Sequence, residues 1–460
     1  MLRAANGMEF DTNWLRKFPP DFRWGTATAA YQIEGAVNED GRGRSIWDAF
    51  SHTPNKTWHG DTGDLACDHY HRYREDVDLM RQLGVGHYRF SVAWPRIYPT
   101  GGGTLNIDGV AFYDRLLDTL LAAGIRPVVT LYHWDLPQAL EERGGWRNRD
   151  TVYYFRDYAG RMFEQFGDRI DTWITHNEPW CTAVLGHLLG QHAPGIQDPA
   201  QAGVVAHHLL LSHGLSVQAY RSQRAGGQIG ITLNLSAVYP ASDRPEDLAA
   251  RDRMDTILNR SFLDPIFLGN YPSGLNEMLG SAGEAVRGDD MAQIGSPLDF
   301  LGVNYYTYQV VAHDADQTEL AGVKDVTPRD EVTDMGWPVG PAGLTDVLRR
   351  IHDQYTRIPL MVTENGAAYP DQLVDDRVRD SARISYLKRH IGALGDALDS
   401  GVDLRGYYVW SLLDNFEWSF GYSKRFGLVY VDYDAGQRRL PKDSAWWYRD
   451  FIQAFRRAWT

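Results

Sequence analysis

The sequence predicts an α/β fold, a single (β/α)8 TIM barrel with long βα loops forming a deep active-site cleft. Three observations carry that expectation. Short apolar, β-prone runs alternate with segments of helical periodicity, and there are eight such units. Each run ends in a polar or aromatic residue, as at the mouth of a parallel barrel. No glycine-rich phosphate loop follows any run, which weakens the alternative of a doubly wound open sheet.

The first strand, 22–27, gives way to the loop residues Tyr31-Gln32-Ile33-Glu34-Gly35. A polar loop to about Asp68 precedes a helix over 70–83, which Gly84 stops. The second strand, 85–91, ends near Arg89, with Trp94-Pro95 beyond it. Apolar residues at helical spacing mark 107–123, closed by Gly124. The third strand, 127–131, runs out into Tyr132-His133-Trp134-Asp135. A helix over 150–166 and a strand over 172–175 follow. The segment 200–224 is helical by periodicity, and 229–233 is a strand with Asn234 at its end. A helical stretch at 245–260 precedes the strand 300–304, which ends in Tyr305-Tyr306. The helix 342–355 leads to the strand 360–363, entered through Pro359. A helix over 376–398, a strand over 404–410 and a closing helix over 445–458 complete the set. The loops after Ala27, Asp135, Asn234 and Tyr306 are long, which deepens one face. No repeat, low-complexity tract or linker divides the chain, so 1–460 reads as one domain with 1–17 as an N-terminal extension.

Composition narrows the function. The chain carries 46 basic and 60 acidic residues, a net charge of −14, which disfavours nucleic acid or an anionic membrane as partner. Its 15 tryptophans and 25 tyrosines suit either a large core or a sugar-binding cleft. Cys67 and Cys181 stand far apart without metal-ligand spacing, so neither a disulfide framework nor a zinc site is indicated. The first 20 residues lack an apolar leader, and no run of about 18 apolar residues could span a bilayer. A cytoplasmic location is the expectation, and the oligomeric state is left open.

Two stretches hold the chemistry. Leu360 to Thr363 is a buried-strand pattern that ends in Glu364-Asn365-Gly366. Asp171 to Thr175 has the same build and ends in His176-Asn177-Glu178-Pro179. Each alone also reads as a strand turning into solvent. Two strand-end glutamates on one barrel mouth, however, suggest a pair. The other strand ends supply Gln32, Arg89, His133, Trp134, Asn234, Tyr306 and Trp410. Carboxylates, amides and indoles in one cleft suit a carbohydrate, and glycoside hydrolysis needs two carboxylates. His69, His71, His207 and His208 fall on expected helices and read as packing or surface residues. No metal or cofactor is expected.

The motifs Thr175-His176-Asn177-Glu178-Pro179 and Thr363-Glu364-Asn365-Gly366 resemble the two catalytic motifs of glycoside hydrolase family 1, the β-glucosidase family. The stretch Phe22 to Gly35 resembles its N-terminal signature, and Trp410 to Trp418 its sugar-recognition segment. The likeness runs from about Phe18 to Trp447. It implies Glu364 as nucleophile and Glu178 as acid/base, with Arg89 and Tyr306 keeping Glu364 ionised. It implies that Asn177 bonds the sugar 2-hydroxyl and that Gln32, His133, Glu417 and Trp418 hold the other hydroxyls. Trp134 and Trp410 would line the ring site, Trp337 would be the leaving-group platform, and Asn304 and Phe426 complete the substrate-binding set. Leu185, His187 and His192 would line the outer region. Trp14, Trp446 and Trp447 read as core.

The implied partners are small β-glycosides such as cellobiose or aryl glucosides, with fucosides and galactosides open. Members that cleave 6-phosphoglycosides carry a phosphate pocket where Glu417-Trp418 stands. The basic Ser423-Lys424-Arg425 keeps a 6-phospho-β-glucosidase as a weak alternative. A non-catalytic sugar-binding barrel would be expected to lose at least one carboxylate, and transglycosylation would share the same ester intermediate.

Overall fold

A computed structural model describes residues 2–3, 9–223, 226–275, 282–316 and 322–460. Eight parallel strands close into a barrel in chain order: β1 (Arg23–Ala27), β2 (His87–Ser91), β3 (Arg126–Tyr132), β4 (Thr172–Asn177), β5 (Gln228–Asn234), β6 (Phe300–Asn304), β7 (Leu360–Asn365) and β8 (Leu404–Trp410), which bonds back to β1. The main helices between them are α1 (His69–Gln82), α2 (Ile107–Ala122), α3 (Asp150–Phe166), α4 (Pro199–Ser222), α5 (Pro245–Asp255), α6 (Pro341–Gln354), α7 (Ser381–Asp399) and α8 (Asp443–Ala458).

Strand alternation builds two apolar layers. Val128, Ile174, Phe300, Met361 and Tyr408 pack together inside the barrel, while their neighbours Val129, Trp173, Leu301, Val362 and Tyr407 pack outward with the helices. Gly25 on β1 is dictated by that filling. A Cβ there would lie 2.4 Å from the Tyr408 ring.

The alternation breaks on the two strands that carry the glutamates. On β4, Thr175 and His176 both reach outward to α4, bonding His213 at 2.7 Å and Ser212 at 2.8 Å. The pairing with β5 shifts between Ile174 and Asn177. On β7 the register shifts between Val362 and Glu364. Such bulges re-aim side chains. Here they turn Asn177 and Glu364 into the mouth.

Several expectations need correction. The helix expected from 376 begins at Ser381, because Leu373–Val374 and Arg377–Val378 pair as a hairpin. Asp375 and Asp376, both with φ near +55°, form its turn. The supposed loop at Tyr31 to Gly35 contains a helical turn, Ala30–Ile33. The polar stretch to Asp68 holds Ile46–Ser51, a helix capped reciprocally by Ser45 and Asp48. Past β5 and β6 the long loops form a three-stranded sheet from Ala237–Pro240, Tyr308–His313 and Val323–Asp325. Arg224, the expected end of α4, lies outside the described residues. Among the described residues no helix is long and apolar enough to cross a membrane.

Candidate active site

The C-terminal strand ends converge on a cleft of about 390 Å³. Its walls include Glu178, Glu364, Trp337, Trp410, Glu417 and Trp418. Three of the residues that build this mouth hold φ in the left-handed region: Trp134 (+80°), Glu178 (+48°) and Trp418 (+51°). Such strain persists where the surroundings over-determine it, and it clusters at working sites.

The two glutamates are held differently. Glu364, at the end of β7, pairs with Arg89 of β2 at 2.5 Å through one oxygen. Its other oxygen accepts the Tyr306 hydroxyl at 2.6 Å. Arg89 is itself fixed by Asn177 Oδ1 at 2.6 Å, the Thr363 carbonyl at 3.1 Å and Thr130 at 3.2 Å. Among the described residues Glu178 has neutral donors alone, the Asn304 amide at 2.7 Å and the Cys181 thiol at 3.1 Å. Burial, followed by repulsion from Glu364, pushes the Glu178 carboxyl up to about 8. Burial raises Glu364 too, but the Arg89 cation and the Tyr306 hydroxyl oppose it. One proton shared by this pair therefore sits on Glu178.

Around the pair runs a polar network. Asn177 donates to His133 Nε2 at 3.0 Å, which puts the imidazole proton on Nδ1, an atom with no protein partner. Burial, with Arg89 nearby, keeps His133 neutral. The Trp134 indole donates to the Asn177 carbonyl at 2.8 Å. Gln32 is anchored through its amide nitrogen to Asn415 at 3.0 Å and the Phe416 carbonyl at 2.9 Å, leaving its oxygen free. Among the described residues the Glu417 carboxylate accepts one hydrogen bond, a long one of 3.5 Å from Gln32. Burial and then the two catalytic-motif glutamates push its carboxyl up as well.

The rings form two groups. Trp418 packs on Trp47 and Trp134 at 4.5 and 4.6 Å, and His133 stacks on Trp410 at 5.7 Å. Farther out, Trp337 leans on Tyr306 and Phe426. Leu185 and His192 line the same outer wall. His187 does not: it is buried with Nδ1 on the Thr182 carbonyl at 2.8 Å. The helix histidines are packing groups in part, with His69 paired to Asp76 and His207 to Asp290, while His71 is exposed.

Sequence reasoning passed over Cys181, Trp180, Met335 and Gln309, all on the cleft wall. Cys181 had a signal, since it stands three residues after Glu178 at the start of a helical segment. A wider groove of about 520 Å³ lies behind Leu235 to Tyr239, but no catalytic-motif residue lines it. Along it Arg350 pairs with Asp255 and Arg260 with Asp264, while Asp346 accepts from the Tyr239 hydroxyl.

Residues 15–456 match the model of glycosyl hydrolase family 1. β-Glucosidase A of Acetivibrio thermocellus is 47% identical, the alignment covering 95% of this chain and 98% of that protein. The bifunctional β-D-glucosidase/β-D-fucosidase of Bifidobacterium breve is 46% identical, over 95% and 98%. The solved structure of the Thermotoga maritima β-glucosidase in complex with deoxynojirimycin superposes with a TM-score of 0.90 at 47% identity, covering 95% and 99%. The chain belongs to glycosyl hydrolase family 1.

Proposed function

We propose that this protein is a retaining β-glucosidase that removes terminal β-D-glucosyl residues from cellobiose-like disaccharides and aryl glucosides. One observation carries the reading: two strand-end glutamates in one cleft, one held by a cation and the other by neutral donors. Glu364, charge-paired and aimed into the cleft, attacks the anomeric carbon. Glu178, protonated, gives its proton to the leaving oxygen. Once the ester forms, the negative charge of Glu364 is gone, Glu178 loses its proton more readily, and it acts as base toward water. Asn177, Gln32, His133, Glu417 and Trp418 hold the sugar hydroxyls. Trp410 and Trp134 border the ring, and Trp337 with Phe426 carries the leaving group.

The relatives' names agree with this activity, and one of them adds fucosides. The phosphoglycoside alternative loses ground because its cations are engaged. Lys424 pairs with Asp334 and Arg425 with Asp414, and neither cation lines the cleft. We take 1–460 as one catalytic barrel domain, with 1–17 as an N-terminal extension. A cytoplasmic setting fits its two buried free thiols.

The test separates the glutamates by leaving group. Glu178→Ala should slow cellobiose cleavage far more than the first step with dinitrophenyl glucoside, whose leaving group needs no proton. The glycosyl-enzyme should then accumulate, and azide should restore turnover and give the β-glycosyl azide. An α-azide would exchange the two roles.

A further inference from the structure

Cys181 plays no part in the reaction as described, yet it grips Glu178 at two points. Its backbone N–H donates to the Glu178 carbonyl at 2.9 Å, and its thiol donates to carboxyl Oε2 at 3.1 Å. The first contact helps hold Glu178 in its left-handed conformation, together with the Glu178 N–H on the Thr232 carbonyl at 2.9 Å. Among the described residues the second contact is one of two donors to the Glu178 carboxyl, the other being Asn304 on Oε1. Cys181 opens the segment Cys181–Leu188, whose wide i→i+5 turns are a feature that recurs at functional sites. The cysteine is buried, bonded to no other thiol, and on the cleft wall.

We propose that Cys181 is a positioning residue for the acid/base: its thiol orients the Glu178 carboxyl and sets the pH at which that carboxyl gives up its proton. The inference rests on Glu178 being the proton donor. Burial, then the charge of Glu178, holds the thiol well above its ordinary range, so it remains S–H and remains a donor. A donor on Oε2 favours the ionised carboxyl, counter to the effects of burial and of Glu364. The other groups facing Glu178 are Arg89 on β2, Tyr306 past β6, Glu364 on β7 and Glu417 past β8. The hydrogen bond of the Cys181 thiol goes to none of them but to Glu178 itself. Removing the thiol should therefore raise the Glu178 pKa and prolong the acid form to higher pH.

The experiment is the pH profile of kcat/KM for wild type, Cys181→Ala and Cys181→Ser, with nitrophenyl glucoside and with cellobiose. In Cys181→Ala the alkaline limb should move up by about 0.4 to 1 pH unit, the equivalent of one modest hydrogen bond. In Cys181→Ser, which keeps a donor on the same Cβ, the limb should return toward the wild-type position. The limb's position does not depend on the folded fraction of a preparation, so poor yield would not obscure it. An alkaline limb in Cys181→Ala that coincides with wild type would overturn the proposal, as would a serine variant that tracks alanine. If instead the leaving-group dependence of Glu178→Ala were missing, the assignment of Glu178 itself would fall, a separate result.

Discussion

Glu417 shares the mouth of the barrel with two other carboxyls and has one weak contact, from Gln32. An acid so poorly partnered in the protein is available to a ligand's hydroxyls, and a sugar would supply the donors that the protein withholds. If it accepts from the 4- and 6-hydroxyls, Glu417→Ala should cost glucosides about 10- to 150-fold in kcat/KM. Fucosides, which lack the 6-hydroxyl, should lose markedly less. Parallel kinetics on nitrophenyl glucoside and fucoside read this directly, and equal losses would remove the 6-hydroxyl from its role. Arg89 is the opposite case, a cation fully used by the protein. Arg89→Lys keeps the charge but cannot span Glu364, Asn177 and Thr363 together. Turnover should fall by about 10- to 150-fold, the scale of removing one charge-assisted hydrogen bond from the reacting pair.

At the level of elements, the barrel strands were legible because both of their faces are buried, so they read as apolar, β-prone runs. The strand 300–304 was placed to the residue, and so was the helix 150–166. What was not legible follows from physics that leaves no mark on composition. The bulges on β4 and β7 are register events between strands far apart in sequence, and nothing in Thr175-His176 says that both point outward. The hairpin turn at Asp375-Asp376 uses left-handed aspartates where glycine would have announced it. The mouth residues were readable because they follow strands. The Cys181 contact was not, because it depends on how the chain folds back after Pro179. Gly366 shows how tightly β7 is set. A Cβ there would lie 1.7 Å from the Trp410 carbonyl, at the end of the neighbouring strand. Gly366→Ala must therefore part the ends of β7 and β8, beside Glu364 and Trp410. We expect a stability loss of about 1–3 kcal/mol, as for an overpacked core, and a disproportionate fall in kcat. Thermal melts beside kinetics would show it; a fall in stability with kcat intact would mean the strands yield elsewhere.

Across the whole molecule the site works against stability, and pH reveals how. Burial pushes Glu178 up to about 8, and it pushes Asp135, whose two oxygens find no hydrogen-bond partner among the described residues, up to about 8 as well. In the unfolded chain both carboxyls titrate near 4, so between about pH 4 and pH 8 the folded protein binds more protons than the unfolded one. Stability must then fall as pH rises through that window. Below about pH 4 both states are protonated and this contribution vanishes. Replacing a titrating carboxyl by its amide removes the slope. Glu178→Gln keeps an oxygen for Asn304, and the thiol of Cys181 can turn to accept from the new amide. Asp135→Asn does the same away from the cleft, since Asp135 does not line it. Each variant should melt close to wild type at pH 4.5 and increasingly above it toward pH 8, measured at constant ionic strength. Glu178→Gln should gain that stability while losing cellobiose cleavage, whereas Asp135→Asn should gain it with the catalytic carboxyls untouched. A Tm difference that stayed flat across pH would mean that these carboxyls are ionised in the folded protein, and the proton held for the leaving group would have to come from elsewhere.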